Sequence, residues 1–113
     1  MSDCLFCRIV RGEIPSAKVA EDAECLAFRD IGPKAPVHVL VIPKAHYASL
    51  DAITDVPKVM GAMMAMAQRV ARDEGIAATG YRTVINTGDN GGQTVGHVHV
   101  HVLGGRRLRW PPG

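Results

Sequence analysis

With 113 residues, 13 Lys and Arg against 11 Asp and Glu, and a net charge of +2, the chain has too little positive charge to argue for nucleic-acid binding. Its basic cluster, Arg106, Arg107 and Arg109, reads as a solvated tail. No apolar run approaches the ~20 residues of a membrane span, and the length suits one domain, 1–113, with a hydrophobic core and a C-terminal tail over 106–113. The opening Met1-Ser2-Asp3-Cys4 lacks the charged-then-apolar layout of a secretory signal, so the expected setting is cytoplasmic. Disulfides are unstable there, and the three cysteines read as thiols or metal ligands.

Cys4-Leu5-Phe6-Cys7 is a C-x-x-C pair, open to a redox or a zinc reading. The redox reading wants a parallel strand just before the pair, and only three residues precede it here. A short helix is expected over 5–11, stopped by Gly12, with a turn at Ile14-Pro15. Strands over 18–22 and 24–29, joined near Asp22-Ala23, form an antiparallel hairpin. Residues 31–36 are a loop by their prolines and glycine. The β-branched run Val37 to Ile42 is a central strand stopped by Pro43, and His38 within it reads, on its own, as a satisfied structural group.

A helical turn is expected over 49–52. The one long helix spans 56–74, capped by Asp55, with Pro57 in its first turn and Gly75 after its end. Its apolar stripe is Val56, Val59, Met60, Met63, Ala67, Val70 and Ala71. Residues 81–86 form a strand running into a glycine-rich loop, and a strand through His97, His99 and His101 closes the sheet, ended by Gly104-Gly105. The sum is an α+β fold: about five mostly antiparallel strands, one long helix on one face and a short N-terminal helix. The other face is left to carry the histidines, or the sheet edge to pair with a second subunit.

His97, His99 and His101 alternate with Val98, Val100 and Val102. A period of two puts the three rings on one face of a strand, facing away from the core that takes the valines. At about 3.3 Å per residue the outer two α-carbons lie ~13 Å apart, too far for all three rings to close on one ion. Three separate tasks are therefore expected. Upstream, Gly88, Gly91, Gly92 and Gly96 give backbone that can turn N–H groups toward an anion. Rings beside such a loop point to chemistry on a phosphate. A neutral imidazole is nucleophilic near pH 7, provided its other nitrogen keeps its proton, held for example by a backbone carbonyl. Donors from the loop and Thr94 would meet the charge growing on the phosphate oxygens.

The row H-V-H-V-H-V-L resembles the histidine-triad (HIT) family, whose pattern is three histidines alternating with apolar residues. The resemblance extends through I-P-S-A-K-V, F-R-D-I-G-P-K-A-P-V-H-V-L-V-I-P-K-A-H and G-G-Q-T-V-G-H-V-H-V-H-V-L-G-G-R-R-L-R-W-P-P-G, nearly the whole chain. The W-P-P-G ending is similar to the Hint branch, the purine-nucleotide-binding members that hydrolyse nucleoside phosphoramidates. The resemblance implies that His99 is the nucleophile on the α-phosphate and that His101 contacts phosphate and leaving group, with His38 near the triad. It implies that Asn86, Gly92, Gln93, Thr94 and Val95 line the phosphate site. It puts Asp30 on the ribose and Phe28 and Ile31 near an AMP- or GMP-type base. It also implies a homodimer with a continuous sheet, in which Trp110 reaches toward the partner's site.

Some members of that family hold a structural zinc ion with two cysteines and two histidines. The matching residues here are Cys4, Cys7, His46 and His97, and catalysis itself requires no metal. Cys25 is expected to be a buried strand residue. Three other functions stay open at this point: a dinucleoside polyphosphate hydrolase, a nucleotide-binding regulatory module with little turnover, and a zinc-dependent interaction protein.

Overall fold

Asp22 makes the first chain reversal. Its Oδ1 accepts the backbone N–H groups of Glu24 and Cys25 at 2.9 and 2.8 Å, which closes a hairpin between β1 (Lys18–Glu21) and β2 (Cys25–Arg29). In the computed structural model, which describes residues 4–113, this hairpin is one edge of a five-stranded sheet. Met1 to Asp3, on which the expectation about a signal partly rests, lie outside the described residues. The order is β1-β2-β3-β5-β4, with β3 at Val37–Pro43, β4 at Tyr81–Val84 and β5 at Val100–Gly104. Every pairing is antiparallel.

The central position of β3 follows from its residues. From His38 to Pro43 every one is buried, which only a strand covered on both faces allows. Pro43 ends that strand from within it, at a terminal position. The histidine segment departs from expectation in two ways. Its strand does not close the sheet: β5 lies between β3 and β4, and β4, whose side chains alternate between exposed and half-buried, takes the edge. Regular pairing also starts only at Val100, so His97, in a bend, and His99 sit on the chain just before it. β4 stops at Val84, two residues early, and a single helical turn, α3 (Gly88–Gly91), follows.

Both faces of the sheet are covered. On one lies α2 (Val56–Asp73), whose N-cap Asp55 accepts the Lys58 N–H at 3.2 Å. Val59, Met63, Met66, Ala67, Val70 and Ala71 pack there against Val39, Val41, Val98, Val100 and Val102. Met66 belongs to the buried stripe, and Val56, counted in it from the sequence, is 45% exposed. Where the sheet passes under the end of α2 the fit is close: a Cβ on Gly104 would come within 2.7 Å of Ile76 Cδ1, so Ile76 would have to shift to admit a side chain. On the other face α1 (Leu5–Val10) lays Phe6 over Leu26, Phe28, Leu40 and Ile42. That second cover corrects the picture of an outward-facing row of rings. The alternation holds, but His97 and His99 are 0% and 4% exposed, roofed by Phe6, and only His101 is half-open.

Candidate active site

His99 is held from behind. Its Nδ1 lies 2.7 Å from the carbonyl oxygen of His97. A carbonyl can only accept, so in the neutral ring Nδ1 carries the proton and Nε2 keeps its lone pair. The ring packs edge-on against Phe6, with centroids 5.2 Å apart, and against His101 at 5.0 Å. This fixes its plane as well as its tautomer. The backbone carbonyl expected to hold the reactive ring is thus the one two residues earlier on the same segment.

The ring opens on a cleft of about 230 Å³. Its apolar wall is Leu5, Phe6, Ile9, Phe28 and Leu40, and its polar rim is Asp30, Thr94, His99 and His101. Of the residues singled out from sequence, the fold brings Phe28, Asp30, Ile31, Thr94, Val95, His99 and His101 to this one cleft. Ile31 stands fully in solvent at its mouth. Asn86, Gly92, Gln93 and Trp110 do not line it. Gln93 instead stitches the glycine loop: its Nε2 donates to the carbonyls of Ala48 and Val95 at 2.7 and 2.9 Å, and its Oε1 accepts the Gly88 N–H at 3.1 Å. Gly92, at φ 81°, ends α3 in a left-handed conformation that a side chain would strain. Trp110 is 80% exposed on the tail.

The α1 wall of the cleft, Leu5, Phe6 and Ile9, was not read from sequence, although the spacing of those residues does mark one face of a helix. Leu40 had a readable signal too. It shares a strand face with His38 by period two and sits opposite His101 in the β3–β5 register.

Beside His99 a second group forms. His38 Nε2 is 2.9 Å from His101 Nδ1 and 3.4 Å from Asp30 Oδ2, and the Lys34 N–H donates to His38 Nδ1 at 3.0 Å. Burial pushes His101 down to about 4, with the neighbouring His99 and His38 adding to it. Burial also lowers His38, against the pull of the Asp30 carboxylate. Both rings are neutral near pH 7. Asp30 is itself pinned: its Oδ1 accepts the Gly32 N–H at 2.7 Å.

At the other end of the segment, the donor atoms of Cys4, Cys7, His46 and His97 lie within 4.8 Å of one another. His97 Nε2–H donates to the Pro43 carbonyl at 2.8 Å, so His97 Nδ1 turns a lone pair into the cluster. Its Nδ1 is 3.2 Å from His46 Nδ1, 3.4 Å from Cys4 Sγ and 3.6 Å from Cys7 Sγ, and Cys7 Sγ is 3.3 Å from His46 Nδ1. Around a tetrahedral zinc ion, bond lengths of about 2.0 and 2.3 Å place two nitrogens roughly 3.3 Å apart and nitrogen and sulfur roughly 3.5 Å apart. The four donors fit that figure. The Cys7 N–H donates to Cys4 Sγ at 3.4 Å, which ties the two cysteines of the pair together across the first turn of α1. All four donors come from protein, so no position is left for substrate, and such a site is structural. The hollow of about 590 Å³ beside Cys4, Cys7, Arg11 and His46 is larger than the His99 cleft, yet it holds neither His99 nor His101. Cys25 stands apart, its thiol pushed up to about 12 by burial and therefore inert.

Comparison with known proteins finds relatives over nearly the whole chain. A family model described as the HIT domain matches residues 11–108. The 14 kDa zinc-binding protein of Zea mays is 46% identical over 119 residues, covering 99% of this chain and 89% of its own. The adenylylsulfatase HINT1 of Arabidopsis thaliana is 45% identical, covering 99% of this chain and 78% of its own. Among solved structures, a HIT family hydrolase from Legionella pneumophila superposes with a TM-score of 0.94 at 47% identity, over 98% of this chain and 100% of that one.

Proposed function

The chain belongs to the HIT domain family, in its Hint-like branch, and has the fold of that family's hydrolases; from this we propose that it cleaves purine nucleoside 5′-phosphoramidates through a nucleotidyl-histidine intermediate on His99. The observation that carries the reading is the 2.7 Å grip of the His97 carbonyl on His99 Nδ1. It leaves one lone pair, on Nε2, beside a cleft with a polar rim and an apolar wall.

In the first step His99 Nε2 bonds to phosphorus. The P–N bond breaks with its electron pair on nitrogen, and that nitrogen departs as the free amine after taking one proton from solvent, the proton that the attacking water gives back in the second step. The cationic ring of the intermediate keeps its Nδ1–H on the His97 carbonyl, which is best placed to stabilise the new charge. Thr94 and the adjoining loop amides meet the phosphoryl oxygens. In the second step water attacks phosphorus, the P–Nε2 bond breaks with its pair returning to nitrogen, and the mononucleotide leaves. Asp30 accepts from the ribose hydroxyls, while Phe28, Leu40 and Ile31 flank the base. Cys4, Cys7, His46 and His97 hold zinc, which braces the chain on which His99 sits and takes no part in either step.

A second reading keeps the same intermediate and changes the leaving group to sulfate. The adenylylsulfatase name of the Arabidopsis relative favours it. One experiment separates the two: turnover of an adenosine phosphoramidate and of adenylyl sulfate, each quenched to trap an acid-labile nucleotidyl adduct on His99. Faster turnover of the phosphoramidate, with the adduct on His99, is the expected outcome. Absence of any adduct from both substrates refutes the covalent route. A homodimer is part of the same proposal, supported by the half-exposed edge strand β4 and the exposed Trp110. Light scattering in solution tests it, and a monomer at micromolar concentration contradicts it.

A further inference from the structure

We propose that His38 is a positioning residue: gripped by the main-chain amide of Lys34, it sets the tautomer of His101 so that His101 presents Nε2–H, and not a lone pair, to the substrate phosphate. The proposal rests on reading the cleft as a phosphate site, but the tautomer itself is independent of any activity.

The chain of donors runs one way. The Lys34 backbone N–H can only donate, and it points at His38 Nδ1 from 3.0 Å. His38 Nδ1 is therefore an acceptor, and the single proton of the neutral ring sits on Nε2. A doubly protonated His38 would set N–H against N–H at Lys34, and burial at 5% exposure opposes that charge as well. His38 Nε2–H has two acceptors within reach, His101 Nδ1 at 2.9 Å and Asp30 Oδ2 at 3.4 Å. The shorter contact takes it. His101 Nδ1 then accepts, so the proton of its own neutral ring lies on Nε2, the nitrogen left for the cleft. His99 and His101 thus show the cleft opposite faces of the same chemistry, a lone pair from one and an N–H from the other.

The same chain decides a second question. Asp30, His38 and His101 offer donor atoms within 4.8 Å of one another and could pass for a two-histidine, one-carboxylate metal site. The atom through which His38 faces the other two is its protonated Nε2, which has no lone pair to give. A cation there would need the His38 proton on Nδ1, against the Lys34 amide.

The test is long-range 1H–15N NMR of the imidazole nitrogens in the full chain loaded with one equivalent of zinc. His101 Nε2 is expected to give a protonated, pyrrole-type signal and Nδ1 an unprotonated one. In His38→Ala this preference is lost. In His38→Gln it returns, because a carboxamide can accept from the Lys34 amide and donate to His101. Lys34→Pro, which deletes the amide proton and leaves His38 in place, reproduces the loss. In turnover, His38→Ala falls roughly 10²-fold, of the order expected for one fixed donor, and mononucleotide affinity changes less than about threefold. A wild-type His101 protonated on Nδ1 overturns the proposal. So does a His101 tautomer unmoved in His38→Ala, or a second equivalent of Zn2+ binding with shifts at both His38 and His101. Because the NMR signature needs no catalysis, a chain that hydrolyses no phosphoramidate refutes the functional reading and leaves this one standing.

Discussion

The face of the sheet under α1 carries two imidazole groups, at opposite ends of one short segment, and they are built to opposite rules. At Cys4, Cys7, His46 and His97 the backbone takes a proton: the Pro43 carbonyl receives His97 Nε2–H and so exposes a lone pair to the other donors. At Asp30, His38 and His101 the backbone gives one: the Lys34 amide donates to His38 Nδ1 and so turns an N–H toward its neighbours. Both groups bring two rings together with at least one sulfur or oxygen donor. Whether a carbonyl or an amide stands behind the first ring decides whether that ring offers its neighbours a lone pair or an N–H.

Removing His99, which lies between the two, should cost most. His99→Ala is expected to lower turnover on the order of 10⁴-fold or more, as loss of a nucleophile does, while nucleotide affinity by calorimetry stays within a few-fold. Residual activity near wild type would mean that the lone pair identified here is not the one that reacts. On the phosphate side, Thr94→Val should reduce turnover by roughly 10²-fold and Thr94→Ser by little, since only the hydroxyl is required. Equal losses in both variants would assign Thr94 to packing.

The metal side should respond through stability before rate. The double variant Cys4→Ala, Cys7→Ala is expected to purify without zinc and to melt roughly 10 °C lower, the equivalent of a few kcal/mol of lost folding energy. Its turnover should fall by about tenfold or less. Wild-type protein free of zinc after purification without chelator, together with an unchanged Tm in the double variant, would remove the metal from the account.

The smallest effect is a pH dependence. His101 has its pKa depressed to about 4 in the fold, against about 6.5 unfolded. Its contribution to stability is complete above the unfolded value and is lost as pH falls through that window, because the unfolded chain takes up the proton first. The urea midpoint of the wild type should therefore decline more between pH 7 and pH 4.5 than that of His101→Gln. Parallel declines would show that burial does not hold this ring neutral.

The period-two row and the stripe of α2 were readable because they are local repeats; the helix is present, and the strand is too, although its regular pairing begins only at Val100. The Cys4, Cys7, His46 and His97 set was readable through resemblance, and those atoms do converge. Three features were not accessible in that way. The roof over His97 and His99 depends on where α1 docks, and nothing within Leu5 to Val10 names the surface its Phe6 will cover. The interior place of β5 depends on β4 being the strand that tolerates an open edge, a comparison between segments. The tautomers depend on main-chain atoms of Lys34, Pro43 and His97, which every residue type possesses equally. Sequence displays side chains, and the controlling atoms here belong to the backbone.

That last point bears on how such a site can change over generations. The oxygen that steadies His99 is contributed by position 97 whatever side chain stands there. A descendant that traded away its thiols and the ring of His97 would keep the same anchor on its reactive nitrogen, so long as the segment held its path. Metal dependence and hydrolytic chemistry can therefore drift apart, one through the variable half of a residue and the other through the half that mutation cannot reach.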